Sequence, residues 1–206
     1  MFNEIFKKVF GSLEKKEHKE TGEFIIAQLN DKIMPVDRGI HYEDPLEEFM
    51  RSNNYGTVTG GGTMQTQDGE IQFCDLEILI YDDQDVKAVT GAVVKKLEWL
   101  GAPKGSKIKI EETNEEISFG RKEGLAIYLD GVNLPEQIYK EYDVNFVLSE
   151  LSRLVGYDGD IQRFWQGNTE TALYFYGESF KNMSQAVSEF VSTYPLCKGA
   201  RIVQIA

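Results

Sequence analysis

The order of apolar segments repeats along this chain, and that repeat limits the folds open to it. In the first half, 24–29 (FIIAQL) reads as a strand, because short apolar runs between breakers favour extended backbone. Pro35 ends it, and a helix is predicted from EDPLEEFM. There Asp44 suits the N-cap, Pro45 the first helical position and Glu47 a capping box, with Leu46, Phe49 and Met50 as the buried face. Strands are predicted at 56–66 and 70–81, joined by a turn at QDG. A helix follows from about Asp85 to Leu100, with Val86, Val89, Val93, Leu97 and Leu100 on one side, and SKIKI gives a last strand. In the second half, LAIYL (125–129) reads as a strand. A helix from Asp143 carries Val144, Val147, Leu148, Leu151, Leu154 and Val155. Strands at 160–166 and 170–176 flank a turn at Gly167 and Asn168. Ser179 opens a helix with Phe180, Met183, Val187, Phe190, Val191 and Tyr194, and ARIVQI closes the chain.

Both halves therefore read β-α-β-β-α-β. Local residues agree: Met34-Pro35 echoes Leu134-Pro135, Lys104-Gly105 echoes Lys198-Gly199, and Ile108 echoes Ile202. This order resembles the split βαβ arrangement called ferredoxin-like, repeated in tandem over residues 24 to 205. The resemblance implies an α+β fold of two such halves with antiparallel sheets and right-handed crossovers. The expected divisions are an N-terminal amphipathic helix at 1–20, a first half at 21–115 and a second half at 116–206. The connector EETNEEISFGRKEG is the natural boundary, and ISF within it is a candidate edge strand.

The N-terminal segment places Phe2, Ile5, Phe6, Val9, Phe10 and Leu13 at helical spacing. Such a helix packs on the body, or else docks on a partner or a membrane surface. No apolar run approaches the roughly 18 to 20 residues of a membrane span. No secretory signal is visible either, because charges interrupt the first apolar residues. Cys74 and Cys197 lack a C-x-x-C partner, and with His18 and His41 they make no zinc spacing. Two buried, reduced thiols in a cytoplasmic protein are the expectation.

Charge narrows the partners. The net charge is −12, from 34 acids against 22 bases. The first 20 residues are slightly basic, so the body is more acidic still. Such a surface repels nucleic acid and attracts basic proteins.

The stretch GTVTGGGTMQTQDGEIQFCDLEI holds the densest candidate features. Gly60, Gly61 and Gly62 lack both the G-x-G-x-x-G spacing of a dinucleotide loop and the Lys-Ser/Thr of a phosphate loop. A strand bulge or bend is the reading, with a contact surface as the alternative. Asp75 and Glu77 sit two apart, so they share one strand face and alternate with Leu76 and Ile78. Cys74 falls on the apolar face with Leu76 and Ile78. His41, Asp75 and Glu77 are the candidates if the chain is an enzyme, but nothing beside them completes a triad or a metal set. No cofactor is indicated. In the second half Phe164, Trp165, Tyr174, Phe175 and Tyr176 crowd two strands. Parity sets Trp165 and Phe175 opposite Phe164, Tyr174 and Tyr176. With Arg163 as the only base nearby, a protein contact or a core fits better than base stacking.

A compact acidic chain without catalytic residues resembles the immunity proteins of bacterial toxin systems. That resemblance implies a cytoplasmic module that binds, and inhibits, a basic partner. Its expected contact residues are Gly60, Gly61, Gly62, Asp75, Glu77, Trp165, Tyr174 and Tyr176. A small-molecule regulatory module with its ligand between the two halves is the alternative, and an enzyme of unknown reaction the second alternative.

Overall fold

Alternation along the strands sets the architecture. Ile25, Ala27 and Leu29 of β1 (Gly22–Leu29) are fully buried, while Phe24, Ile26 and Gln28 between them are not. Side chains two apart share a face, so β1 turns one face to a core and the other away from it. The computed structural model describes residues 21–157 and 161–206. The expected helix over 1–20 lies outside the described residues.

Two antiparallel sheets make an α+β fold. The first has five strands in the order β2-β3-β1-β4-β5, with β2 at Gly56–Gln65, β3 at Ile71–Tyr81, β4 at Ser106–Ile110 and β5 at Glu116–Phe119. The second has four, β7-β8-β6-β9, with β6 at Glu123–Asp130, β7 at Arg163–Gln166, β8 at Glu170–Gly177 and β9 at Arg201–Gln204. β5 pairs with β4, so the first sheet runs to Phe119, past the expected division at 115. The reason is local: Ile117 and Phe119 pack on the first core, where they continue the buried face of Ser106, Ile108 and Ile110.

Helices cover one side of each sheet. α1 (Pro35–Arg38), a π-turn (Gly39–Glu43) and α2 (Asp44–Ser52) form one unbroken helical stretch. This corrects the predicted helix start. Asp44 has helical dihedrals and caps nothing, because the helix has already begun at Pro35. Pro45 lacks an N–H and cannot close a normal turn. The chain widens just before it, and the Asp44 N–H donates to the Gly39 carbonyl five residues back, the hydrogen bond of a π-turn. Glu47 makes no capping box. It accepts from the Val58 N–H at 2.6 Å and pairs with Arg51 at 2.7 Å. α3 (Val86–Trp99) starts as predicted, with the Asp85 carboxylate accepting from the Ala88 N–H at 3.1 Å.

In the second half a short helix, α4 (Glu136–Glu141), precedes α5 (Val144–Val155) and was not predicted. Asp143 caps α5, and Gly156 ends it in the left-handed conformation at φ +70°. Ser179 caps α6 (Phe180–Thr193). Each sheet has its own core. Ile25, Leu29, Leu76, Ile78, Val93 and Leu97 belong to the first, and Leu125, Ile127, Val147, Leu151, Phe175 and Val187 to the second. Full burial of each such aliphatic side chain contributes about 1.5–3 kcal/mol.

Candidate functional site

The three glycines do different jobs. β2 pairs with β3 so that Gly60 faces Glu77, Gly61 faces Leu76 and Gly62 faces Asp75, after a register shift between Val58 and Gly60. A bulge bends a strand at that kind of shift, as the glycine run predicts. Gly61 points to the helix side. A methyl group there would sit 2.4 Å from the Asp75 carbonyl oxygen and 3.3 Å from both Arg38 and Glu43. The missing side chain is what lets Arg38 lie against the strand. Its Nε donates to Glu43 Oε1 at 2.6 Å, and its Nη1 donates to the Gly62 carbonyl and to Thr63 Oγ1, both at 2.7 Å.

Gly60 and Gly62 point to the other side of the sheet, together with Asp75 and Glu77. At Gly62 an added methyl would meet nothing within 4 Å, and at Gly60 only Glu77 Oε2 at 3.7 Å. Both carboxylates thus have open space beside them. Glu77 is exposed, and half-buried Asp75 accepts from Gln28 Nε2 at 3.3 Å. No described helix covers this face, and Phe24 on it is exposed. Toward β4 the face becomes mixed. A shallow 180 Å³ depression is lined by Ile26, Gln28, Asp75, Lys107, Lys109 and Glu116, with Lys107 paired to Glu116 at 3.0 Å.

Trp165, Tyr174 and Tyr176 of the second sheet are not offered outward. The register sets Arg163 opposite Tyr174 and Trp165 opposite Ala172. Arg163, Trp165, Tyr174 and Tyr176 therefore share one face, while Phe164 and Phe175 take the other. This corrects the expected parity, which assigned Trp165 and Phe164 to the wrong faces. That first face meets loops of the first half. The Tyr176 hydroxyl accepts from the Lys32 N–H at 3.0 Å and donates to the Asn30 carbonyl at 3.3 Å. Tyr174 and Tyr128 both donate to Glu70 Oε1, at 2.7 and 2.9 Å. Trp165 Nε1 donates to the Asp68 carbonyl at 3.1 Å. Burial, then the neighbouring Glu70, raises the pKa of Tyr174 and carries Tyr128 up to about 12. Burial, then Asp31, raises Tyr176.

At the centre of this contact lies an ion pair. Arg163 Nε and Nη2 donate to the two oxygens of Asp31 at 2.7 and 3.0 Å, and the Tyr42 hydroxyl donates to the same carboxylate at 2.8 Å. The Asp31 and Arg163 side chains are 1% and 8% exposed. Burial opposes the charge on Arg163, but Asp31 outweighs it and the guanidinium stays firmly cationic. Sequence reading gave Asp31 and Glu70 no role and used Arg163 only as the lone base beside the aromatic strands. The available signal was a lone Arg directly before two aromatics on a strand, since a charge among core-type residues calls for a buried partner.

The enzyme candidates do not converge. His41 is half-buried, edge-on to Tyr42 at 4.5 Å, and its pKa is lowered by burial and then by the Arg163 charge. Asp75 and Glu77 lie on the far side of the first sheet from the helix that carries His41. Cys74 and Cys197 are free and buried, and burial pushes Cys197 up to about 11 and Cys74 higher still. Thiols so protonated are poor nucleophiles. Among the described residues no group of three or more His, Cys, Asp or Glu is placed to hold a metal ion, and no helix is long and apolar enough to cross a membrane.

These features define an α+β protein with two antiparallel sheets locked through a polar contact. No protein-family model and no curated protein matches the chain. Among solved structures it is similar to an unknown protein from Galdieria sulphuraria. The identity is 14%, over 90% of this chain and 98% of that one, with a TM-score of 0.27.

Proposed function

We propose that this chain is a cytoplasmic protein-binding module that holds, and inhibits in the manner of an immunity protein, a basic partner. Its contact face is the side of the first sheet that no described helix covers. The observation that carries this reading is the register of β2 on β3, which sets Gly60 beside Glu77 and Gly62 beside Asp75. Two carboxylates on a rigid strand, each flanked by a residue without a side chain, accept a Lys or Arg without steric hindrance. The net charge of −12 steers a basic partner toward the molecule and rejects nucleic acid. The cytoplasmic setting is supported by two buried free thiols. We read the two halves as ferredoxin-like copies. In support, the first strand of each half, β1 or β6, lies between the third and fourth strands of that half.

The test is affinity capture at low and high salt, with partners identified by mass spectrometry. The expected result is a basic protein retained by the wild type at low salt and released at high salt. The double variant Asp75→Lys/Glu77→Lys should lose it, while Asp82→Lys/Asp83→Lys, an equal charge change at another exposed site, should keep it. Equal retention by both variants, or no partner at any salt, overturns the reading.

A further inference from the structure

We propose that the cleft between α5 and β7 is a binding site for a small, uncharged, planar molecule that carries both a hydrogen-bond donor and an acceptor. The cleft encloses about 330 Å³ on the helix side of the second sheet. That is the size of a one- or two-ring ligand, at the lower end of the roughly 300–1,000 Å³ typical of small-molecule sites.

The cleft exists because the helical cover is broken. In the first half the stretch from Pro35 to Ser52 is continuous through its π-turn, and Arg38 and Glu43 reach the β2 edge at Gly61. In the second half Tyr142 and Asp143 are extended between α4 and α5, with φ/ψ of −116°/136° and −100°/128°. The helix stops and restarts, and β7 at the sheet edge is left partly bare. Phe164 on β7 is 44% exposed and Val144 at the start of α5 is 41% exposed, and both line this cleft.

The lining selects the ligand. Phe164, Val144, Leu148 and Leu173 make apolar walls suited to a flat ring. Gln166 shares a strand face with Phe164, Gln162 just precedes the strand, both line the cleft, and their amides have no partner among the described residues. Each amide offers a donor and an acceptor. Among the described residues no Lys, Arg or His lines the cleft to neutralise a charge. Its one carboxylate among the described residues, Asp130, is occupied by the Val132 and Asn133 N–H groups and the Asn133 amide. The first turn of α5 is already capped by Asp143. A charged ligand would be desolvated without compensation.

The test uses ring-matched probes on the full chain: indole-3-carboxamide, indole-3-carboxylate and tryptamine. Binding is followed by NMR of labelled Val and Leu methyl groups. Saturable shifts at Val144, Leu148 and Leu173 are expected with the carboxamide, at least about tenfold tighter than with either charged probe, since about 1.4 kcal/mol of unmet desolvation suffices for that ratio. Leu148→Trp, which fills the cleft, should abolish the shifts. Phe164→Ala, at an exposed position that does not hold the fold together, should weaken binding severalfold with the remaining methyl spectrum unchanged. Equal shifts from all three probes, no shifts from any, or carboxamide binding unaffected by Phe164→Ala would each overturn the proposal.

Discussion

Removing the Arg163 guanidinium while keeping its length, as in Arg163→Met, should destabilise the protein by about 3–5 kcal/mol, the usual cost of breaking a buried ion pair on one side. The geometry supports the upper part of that range. Asp31 accepts three hydrogen bonds, and Arg163 supplies two of them. A bond to a charged group contributes about 1.5–3 kcal/mol, so the two lost bonds alone amount to roughly 3–6 kcal/mol. Tyr42 would be left as the only donor to a carboxylate whose side chain is 1% exposed. Domains of this kind are stable by about 5–15 kcal/mol, so a fifth or more of the total is at stake. Asp31→Ala should cost a similar amount, because it leaves Arg163 buried and unpaired and takes the acceptor from Tyr42. The double variant should cost less than the two singles added together, since no orphaned charge remains. The coupling should be on the order of 3 kcal/mol. Urea unfolding would measure it. Trp165 donates to the Asp68 carbonyl across the contact, so a Trp99→Phe background makes fluorescence report on that contact alone. Single-variant losses below about 1 kcal/mol, or a double variant equal to the sum, would refute the reasoning. They would mean that water reaches the pair and that the halves do not pack through it.

Two further predictions follow from geometry and titration. Gly61→Ala places a methyl 2.4 Å from a backbone carbonyl oxygen and against the Arg38–Glu43 pair, so a loss of about 1–3 kcal/mol is expected in urea unfolding. Gly62→Ala meets open space and should stay within about 1 kcal/mol of wild type; equal effects at the two sites would contradict the facing of β2. In alkali, the raised pKa values of Tyr42, Tyr128, Tyr174 and Tyr176 make folding favour their protonated forms. Their contribution is fully present below the unfolded tyrosine pKa of about 10 and is lost as pH rises toward the folded values. Phenolate absorbance should show these four resisting ionisation until the chain unfolds, and a single titration of all ten tyrosines near pH 10 would exclude that.

What was legible in the sequence follows from how far each signal reaches along the chain. Helix caps act over three residues, so Asp85, Asp143 and Ser179 could be read directly. Strand parity acts over two, and it assigned Cys74, Leu76 and Ile78 to the core with Asp75 and Glu77 opposite. Parity failed for Trp165 for a definite reason. Within one strand it is secure, but Trp165 and Tyr174 are on different strands, and the pairing of Arg163 with Tyr174 depends on the turn between them. A one-residue change of register exchanges every side chain between faces. The same limit concealed the contact between the halves. Asp31 and Arg163 are 132 positions apart, and although Arg163 beside aromatics hints at a buried partner, nothing local points to Asp31. Only the fold shows that both are buried. Tyr174 and Tyr176, expected to meet a partner, face Glu70, Lys32 and Asn30 of the same chain. On the side of the first sheet that no described helix covers, Gly60 and Gly62 leave open space beside Glu77 and Asp75. The glycine run is therefore split by parity: Gly61 seats an internal ion pair, and its two neighbours leave the acids accessible.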